Sequence, residues 1–191
     1  MVSQNSKVLV PGKGGPLGIA TTAKPTIIEP NEVIIRLKAI AINPADCKMI
    51  DHGHRVTSWP LVPGLDGAGI IDAVGDNVKN FEVGDEVLAQ FMAGDRGGSY
   101  QNFAVVQEAM IARKPSTWSF EEAATLGCVL FSCLHHFYYF LICRSRERLS
   151  KEFVHEELKF YFFQSMFHHS CISARSRLKN LATISQRWAH N

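Results

Sequence analysis

The sequence predicts a mainly β fold, in which a barrel of short strands is followed by one helix. From Lys7 to Arg113, short apolar runs rich in β-branched residues alternate with turns that contain glycine or proline. From Ser119 onward, proline is absent, glycine occurs only at Gly127, and a long apolar run follows. Regularly spaced short strands are typical of a β-barrel or sandwich, whereas a long apolar run without turn residues is typical of a helix.

Six segments of the first part have the composition of strands. The longest, 32–42, alternates Val33 and Ile35 with Arg36 on the opposite face, and both faces become partly apolar near its end. Such alternation predicts a strand because successive side chains point to opposite faces of a sheet. The loop 11–18 follows the first strand. The other predicted strands are 7–10, 67–75, 84–91, 97–106 and 109–114.

The stretch "PGLDGAGIIDAVGD" (63–76) carries four glycines and invites comparison with a phosphate-binding loop. The dinucleotide fingerprint is G-x-G-x-x-G between a strand and a helix. Here the order is G-x-x-G-x-G, and the residues that follow have no helical period. We therefore interpret Gly67 and Gly69 as positions where a strand bends sharply, and Gly75 and Gly84 as turn residues.

A helix is predicted to begin at Ser119, because Glu122 three residues later completes a capping box. The apolar run 126–143 that follows is 18 residues long, enough to cross a bilayer. His135 and His136 lie in its middle, where polar side chains are costly in lipid. A buried helix is therefore favoured over a membrane span.

Charge and cysteine content exclude several classes of protein. The net charge of +2 gives no reason to expect a nucleic-acid partner. The five cysteines are odd in number and include no C-x-x-C pair, so neither a disulfide framework nor a common zinc motif is visible. No signal peptide is recognisable before Val8. The sequence therefore predicts a cytoplasmic protein.

Five segments together resemble the medium-chain dehydrogenase/reductase superfamily. They are "KAIAINPADCKM" (38–49), "VPGLDGAGIIDAVGDNV" (62–78), "FEVGDEVLA" (81–89), "GGSYQNFAVV" (97–106) and "SFEEAATLG" (119–127). The resemblance covers about residues 7–140 and is closest to the zinc-independent branch, namely quinone oxidoreductases and fungal trans-acting enoyl reductases. It implies a GroES-like barrel domain at 1–125, with 126–143 as an apolar helix at the junction to the family's Rossmann domain.

The resemblance also implies that the protein uses no zinc. Members with catalytic zinc carry cysteine where this chain has Asn43, and a His-Glu pair where it has Leu65 and Asp66. Asparagine and leucine cannot replace a thiolate or an imidazole at a tetrahedral zinc site. The structural zinc lobe, a cluster of four cysteines, would fall near 90–97, and that segment contains no cysteine.

In this branch, the resemblance implies that NADPH delivers hydride to a small enoyl or quinone-type substrate. Lys48 falls where fungal enoyl reductases carry a lysine beside the nicotinamide, and Ser132 falls where a threonine often lines the substrate cleft. The catalytic residues implied are therefore Lys48 and Ser132. The loop Ala45, Asp46, Cys47 and Lys48 would touch the cofactor, while Asp46 also holds the turn after Pro44. The alternative is a solvated Lys48 and a Ser132 bonded to its own backbone.

Residues 144–191 match nothing in the family. They carry nine Lys and Arg against four Asp and Glu, and no glycine follows Gly127 anywhere in the sequence. A Rossmann domain with its glycine-rich turn is therefore missing, and we interpret 144–191 as an unrelated, basic and helical tail from an aberrant gene model or an alternative transcript. A truncated reductase without this domain is expected to be inactive as this chain alone. The pairs Cys133/His135 and His169/Cys171 have no common metal-site spacing and indicate chance clustering.

Two other hypotheses remain beside a truncated reductase. One is a non-catalytic GroES-like module used for binding or for dimerisation, with self-association through the apolar helix 126–143. The other is a fragment attached to a membrane through the same segment.

Overall fold

The structure is a computed structural model that describes residues 4–128, and these residues form seven strands and two helices. The strands are β1 Gln4–Leu9, β2 Gly18–Ala23, β3 Glu32–Ala41, β4 Asp66–Val74, β5 Glu86–Gln90, β6 Phe103–Gln107 and β7 Ile111–Arg113. The helices are α1 Pro44–His52 and α2 Phe120–Ala124, and a 3₁₀ turn spans Glu108–Met110. The mainly β class that the sequence predicts is confirmed. The expectations for Ser132, for the tail cysteines and histidines and for 129–191 as a whole fall outside the described residues.

The strands form two antiparallel sheets. Five of them pair in the order β6-β3-β4-β5-β7, and β1 pairs with β2. β1 is also tied to other parts of the chain, since the Val8 N–H donates to the Tyr100 carbonyl at 2.8 Å and Val10 pairs with Leu61. The N-terminal hairpin is therefore fixed by backbone hydrogen bonds to segments far away in sequence.

The largest cluster of buried apolar side chains is built on the five-stranded sheet. Its members are Val33, Ile35, Ile71, Val87, Ala89, Phe91, Ala104 and Val106. The alternation of Val33 and Ile35 in β3 therefore identified core residues correctly. The first four residues of β3 are all buried, including Ile34 on the other face and the paired Glu32. Alternation marks one buried face, and burial of the second face follows only from what packs over it.

Three segments differ clearly from the prediction, and the bounds of the other strands shift by a few residues. β2 was not predicted, because "GIATTA" is almost wholly exposed and shows no apolar alternation, so that its strand conformation depends on pairing with β1. The predicted strand 97–106 begins only at Phe103. The predicted loop Ala45–Lys48 is wrong, because these residues form the first turns of α1. Proline is accepted in the first turn of a helix, where its missing N–H would have no intrahelical partner.

The cysteine-free segment 90–97 is held by ion pairs. Arg96 makes a bidentate contact with the buried Glu32, both hydrogen bonds measuring 2.8 Å, and Lys7 pairs with Asp95 at 2.5 Å. The Arg96 hydrogen bonds are the main reason why the pKa of Glu32 falls to about 2. Beside this segment lies an open cleft of about 480 Å³.

The predicted capping box at the start of α2 is confirmed. The Ser119 Oγ accepts the Glu122 N–H at 3.2 Å, and the Glu122 carboxylate accepts the Ser119 N–H at 2.8 Å. The buried Ala123 and Ala124 pack against Ala68 of β4. Within residues 4–128, neither helix is long and apolar enough to cross a membrane.

Candidate functional site

The candidate site is built around the N-terminus of α1. Asn43 precedes the helix in an extended conformation, Pro44 opens it, and the Asp46 carboxylate accepts the Asn43 N–H at 2.8 Å. The helix ends at Gly53, whose φ of 68° is the left-handed conformation that glycine adopts without strain. The sequence "NPAD" followed by a glycine seven residues later carries both helix signals, and reading Pro44 as a turn residue overlooked them.

The residues predicted to contact a cofactor lie on the first two turns of α1, with different exposures. Ala45, Cys47 and Lys48 are half-buried, whereas Asp46 is 1% exposed. Burial lowers the pKa of Lys48, because removing water from an ammonium group disfavours its charged form. The helix thus presents Lys48 at the surface and directs Asp46 into the protein.

Asp46 lies in a buried polar contact with Tyr100. Its Oδ2 accepts the Tyr100 hydroxyl at 3.1 Å in addition to the Asn43 N–H. Burial raises the pKa of Asp46 to about 6. Hydrogen bonds from the Asn43 N–H, the Tyr100 hydroxyl and the Gly64 backbone oppose this rise, and the charge of Asp66 adds to it. Burial and the neighbouring Asp46 also raise the pKa of Tyr100 well above its usual value. Tyr100 therefore stays a neutral hydrogen-bond donor, and Asp46 titrates close to neutrality.

Asp66, at the start of β4, is the second buried carboxylate of the site. It is 0% exposed, its Oδ2 accepts the Asn43 Nδ2 at 2.8 Å, and its Oδ1 accepts the Cys128 N–H at 2.5 Å. Burial raises the pKa of Asp66, and the hydrogen bonds from Asn43 and Cys128 oppose the shift. Sequence reasoning considered Asp66 only as the replacement of a zinc ligand and gave no signal for these contacts.

Asn43 and Asp66, at two of the positions where the resemblance places zinc ligands, are joined directly by the 2.8 Å hydrogen bond between the Asn43 amide and the Asp66 carboxylate. Leu65, at the remaining position where the resemblance places a zinc ligand, packs with an apolar cluster that includes Val10 and Leu61. Across residues 4–128, no group of three or more His, Cys, Asp or Glu side chains is arranged to hold a metal ion. The donor set at this position does not fit a zinc ion.

Asp46 gives the unfolding equilibrium a distinctive pH dependence. Its pKa is about 6 in the folded protein and 3.8 without the fold, so the protonated form favours folding. This contribution is fully present below pH 3.8 and is lost as the pH rises through about 6. Asp46→Asn imitates the protonated form, so we expect its free energy of unfolding, relative to the wild type, to rise by about 2–3 kcal/mol between pH 4 and pH 7.

Urea denaturation across this pH range measures the difference between variant and wild type. Taking that difference removes the opposite contribution of Glu32, whose low pKa stabilises the fold as the pH rises. Asp76→Asn, at an exposed aspartate, is the control for the loss of one carboxylate from the chain. Equal pH slopes for Asp46→Asn and wild type would contradict the assignment.

Comparison with known proteins gives a consistent family relationship. The family model described as "Alcohol dehydrogenase GroES-like domain" matches residues 29–116. A trans-enoyl reductase of Aspergillus terreus is 32% identical over 143 residues, with 70% of this chain and 47% of that protein covered. A zinc-type alcohol dehydrogenase-like protein of Schizosaccharomyces pombe is 35% identical over 122 residues, with 54% of this chain and 35% of that protein covered.

A solved structure supports the same relationship. A quinone oxidoreductase of Pseudomonas syringae superposes with a TM-score of 0.56 at 32% identity, covering 64% of this chain and 37% of that chain. The chain therefore spans less than half the length of these relatives. The residues that the family model matches, 29–116, contain α1 and the buried Asp46 and Asp66.

Proposed function

We propose that the chain forms the barrel half of an NADPH-dependent, zinc-independent reductase. The basis is that residues 29–116 match an alcohol dehydrogenase GroES-like domain, and that the chain corresponds to the N-terminal part of medium-chain dehydrogenases/reductases. The reaction type is that of the enoyl reductases and quinone oxidoreductases among its relatives. The substrate is then a small molecule with an activated double bond or a quinone carbonyl.

The position of Lys48 carries this proposal. It stands half-buried on the second turn of α1, and desolvation has already lowered its pKa. An ammonium group held in that way stabilises the negative charge that develops on a substrate oxygen as hydride arrives, or contacts the cofactor. Ala45 and Cys47 flank it on the same helix and are the other proposed cofactor contacts. Ser132 is proposed as a hydroxyl that donates to the substrate oxygen.

Asp46 takes a different role in this proposal. Its carboxylate is buried against Asn43 and Tyr100, so it fixes the start of α1 and does not present a charge to the cofactor. The direct Asn43–Asp66 hydrogen bond supports zinc independence, because the amide nitrogen that donates to Asp66 has no lone pair for a metal. The half of the site described here therefore offers the Lys48 cation, and residues 4–128 hold no group of three or more side chains arranged as metal ligands.

NADPH, when bound, supplies the hydride. We propose that the first turns of α1 face the nicotinamide ring, with the small side chain of Ala45 and the ammonium group of Lys48 on the side that contacts it. No glycine occurs after Gly127, so residues 128–191 contain no glycine-rich turn of the kind that holds a pyrophosphate. We propose that the 191-residue chain alone holds NADPH weakly and does not turn over.

Cofactor titration and a hybrid enzyme test this function. NADPH titrated into the 191-residue chain should show no saturation in the micromolar range, and NADPH oxidation with enoyl or quinone substrates should stay at background. Joining residues 1–140, which include Ser132, to the Rossmann domain of a close relative should restore reduction, because that domain would hold the nicotinamide ring in place and misplacement of the ring by about 1 Å already costs ~100-fold in rate.

The Rossmann domain alone is the matched control, and it should bind NADPH without reducing substrate. Saturable micromolar binding by the 191-residue chain would contradict the weak-binding part of the proposal. A folded hybrid that binds NADPH and reduces neither substrate class would favour the alternative, a GroES-like binding or dimerisation module.

A further inference from the structure

Asp66 joins two parts of the chain that are distant in sequence. Asn43, just before α1, lies 23 residues away, and Cys128, after α2, lies 62 residues away. Both donate to the same carboxylate, one to each oxygen. The start of α1 and the segment after α2 are therefore held to one side chain at the start of β4.

These contacts account for a completely buried charge. An ionised carboxylate removed from water is costly unless each oxygen is hydrogen-bonded, and hydrogen bonds to a charged acceptor are roughly twice as strong as neutral ones. The two donors are an amide side chain at 2.8 Å and a backbone N–H at 2.5 Å. Loss of the carboxylate leaves one buried and one partly buried donor, which something else has to satisfy.

The segment after α2 is shaped to approach Asp66. A Cβ on Gly127 would lie 2.3 Å from the Asp66 Oδ1 and 3.2 Å from the Ala89 carbonyl oxygen. Only a residue without a side chain lets the Cys128 N–H reach the carboxylate in this geometry. The absence of a side chain at Gly127 thus allows the hydrogen bond between the Cys128 N–H and the Asp66 carboxylate.

We propose that Asp66 is a positioning residue, whose carboxylate fixes the start of the Lys48-bearing helix relative to the segment that follows α2. We call the two hydrogen bonds from Asn43 and Cys128 to the Asp66 carboxylate the tether. The inference rests on the proposed function only for the role of Lys48, because the tether is seen directly in these two contacts. Lys48 follows Asn43 by little more than one helical turn, so a shift at Asn43 moves the ammonium group directly.

Hydrogen exchange of the full 191-residue chain tests the tether through a swap of the two side chains. In Asp66→Asn, one amide oxygen faces two donors, so exchange of the Cys128 amide should accelerate by ~10-fold or more relative to wild type. In Asn43→Asp, two carboxylates face each other, and the same acceleration is expected. In Asn43→Asp/Asp66→Asn, the amide nitrogen introduced at position 66 donates to the carboxylate introduced at position 43, and the amide oxygen accepts the Cys128 N–H. Protection of the Cys128 amide from exchange should therefore return to within ~3-fold of wild type.

The Ile71 amide, which donates to the Asp85 carbonyl at 2.9 Å within the barrel, reports general stability and should change much less than the Cys128 amide. Equal acceleration at Ile71 and Cys128, or a double variant that does not fold or does not regain protection, would overturn the tether. In the hybrid enzyme, kcat should fall in both single variants and recover in the double variant. A restored exchange pattern in a hybrid without any activity would reject the proposed function and leave the tether standing.

Discussion

Gly69→Ala should lower the free energy of unfolding by about 3 kcal/mol or more, and it is expected to prevent folding in part of the purified protein. Gly69 pairs with Leu37 of β3 beside a register shift between Leu37 and Ala39. A Cβ at this position would lie 2.2 Å from the Arg36 carbonyl oxygen and 2.9 Å from its carbonyl carbon. The obstacle is backbone, so relief requires β3 and β4 to separate where they form the middle of the sheet.

Gly18→Ala is the matched control for this substitution. Gly18 also lies in a strand, β2, and a Cβ there would meet the Leu9 carbonyl oxygen at an ordinary contact distance of 3.6 Å. Urea denaturation of the 191-residue chain, followed by tryptophan fluorescence, should give a midpoint close to wild type for Gly18→Ala and a much lower one for Gly69→Ala. Similar midpoints for the two variants would contradict the close approach of β3 and β4.

Lys48→Ala should lower kcat/KM of the hybrid enzyme about 100-fold, the usual effect of removing one group that stabilises a developing oxyanion. Lys48→Arg keeps the charge in a different geometry and should retain part of the activity. Because burial lowers the pKa of Lys48 from 10.5, the alkaline decline of wild-type activity should begin below that value. In Lys48→Arg this decline should disappear, since arginine stays protonated.

The control for Lys48 is Lys79→Ala, at an exposed lysine in the turn after β4, which should leave the hybrid's activity unchanged. Circular dichroism and the urea midpoint of each variant show whether it is folded. Full activity of a folded Lys48→Ala hybrid would remove Lys48 from the proposed site and leave the family relationship intact.

Local signals in the sequence were sufficient for several elements. The alternation in 32–42 predicted β3 and two of its core residues, Val33 and Ile35. The Ser119–Glu122 capping box predicted where α2 begins. Both patterns act within a few residues of the chain, by side-chain direction in a strand and by the unpaired N–H groups of a helix start. These two patterns therefore predict local structure without any knowledge of which segments pack against β3 or α2.

α1 shows the limit of this reasoning. Asn43, Pro44 and Asp46 form a recognisable helix start and Gly53 a recognisable helix end, but a proline next to an asparagine is also typical of a turn, and the loop prediction followed that second signal. Packing decides it here, because Met49 and Ile50 are buried against Val10 and Leu61 and so favour continuing the helix. The prediction of a loop at Ala45–Lys48 failed for that reason.

By itself the sequence determined the mainly β class, the positions of most strands and the start of α2. Only the tertiary structure decided that Asp66 meets both Asn43 and Cys128, and that Asp46 points inward while Lys48 remains half-exposed. The physical reason is the range of the interactions. Period and capping depend on neighbours along the chain, whereas the hydrogen bonds and desolvation of a buried carboxylate depend on residues brought together from 23 and 62 positions away.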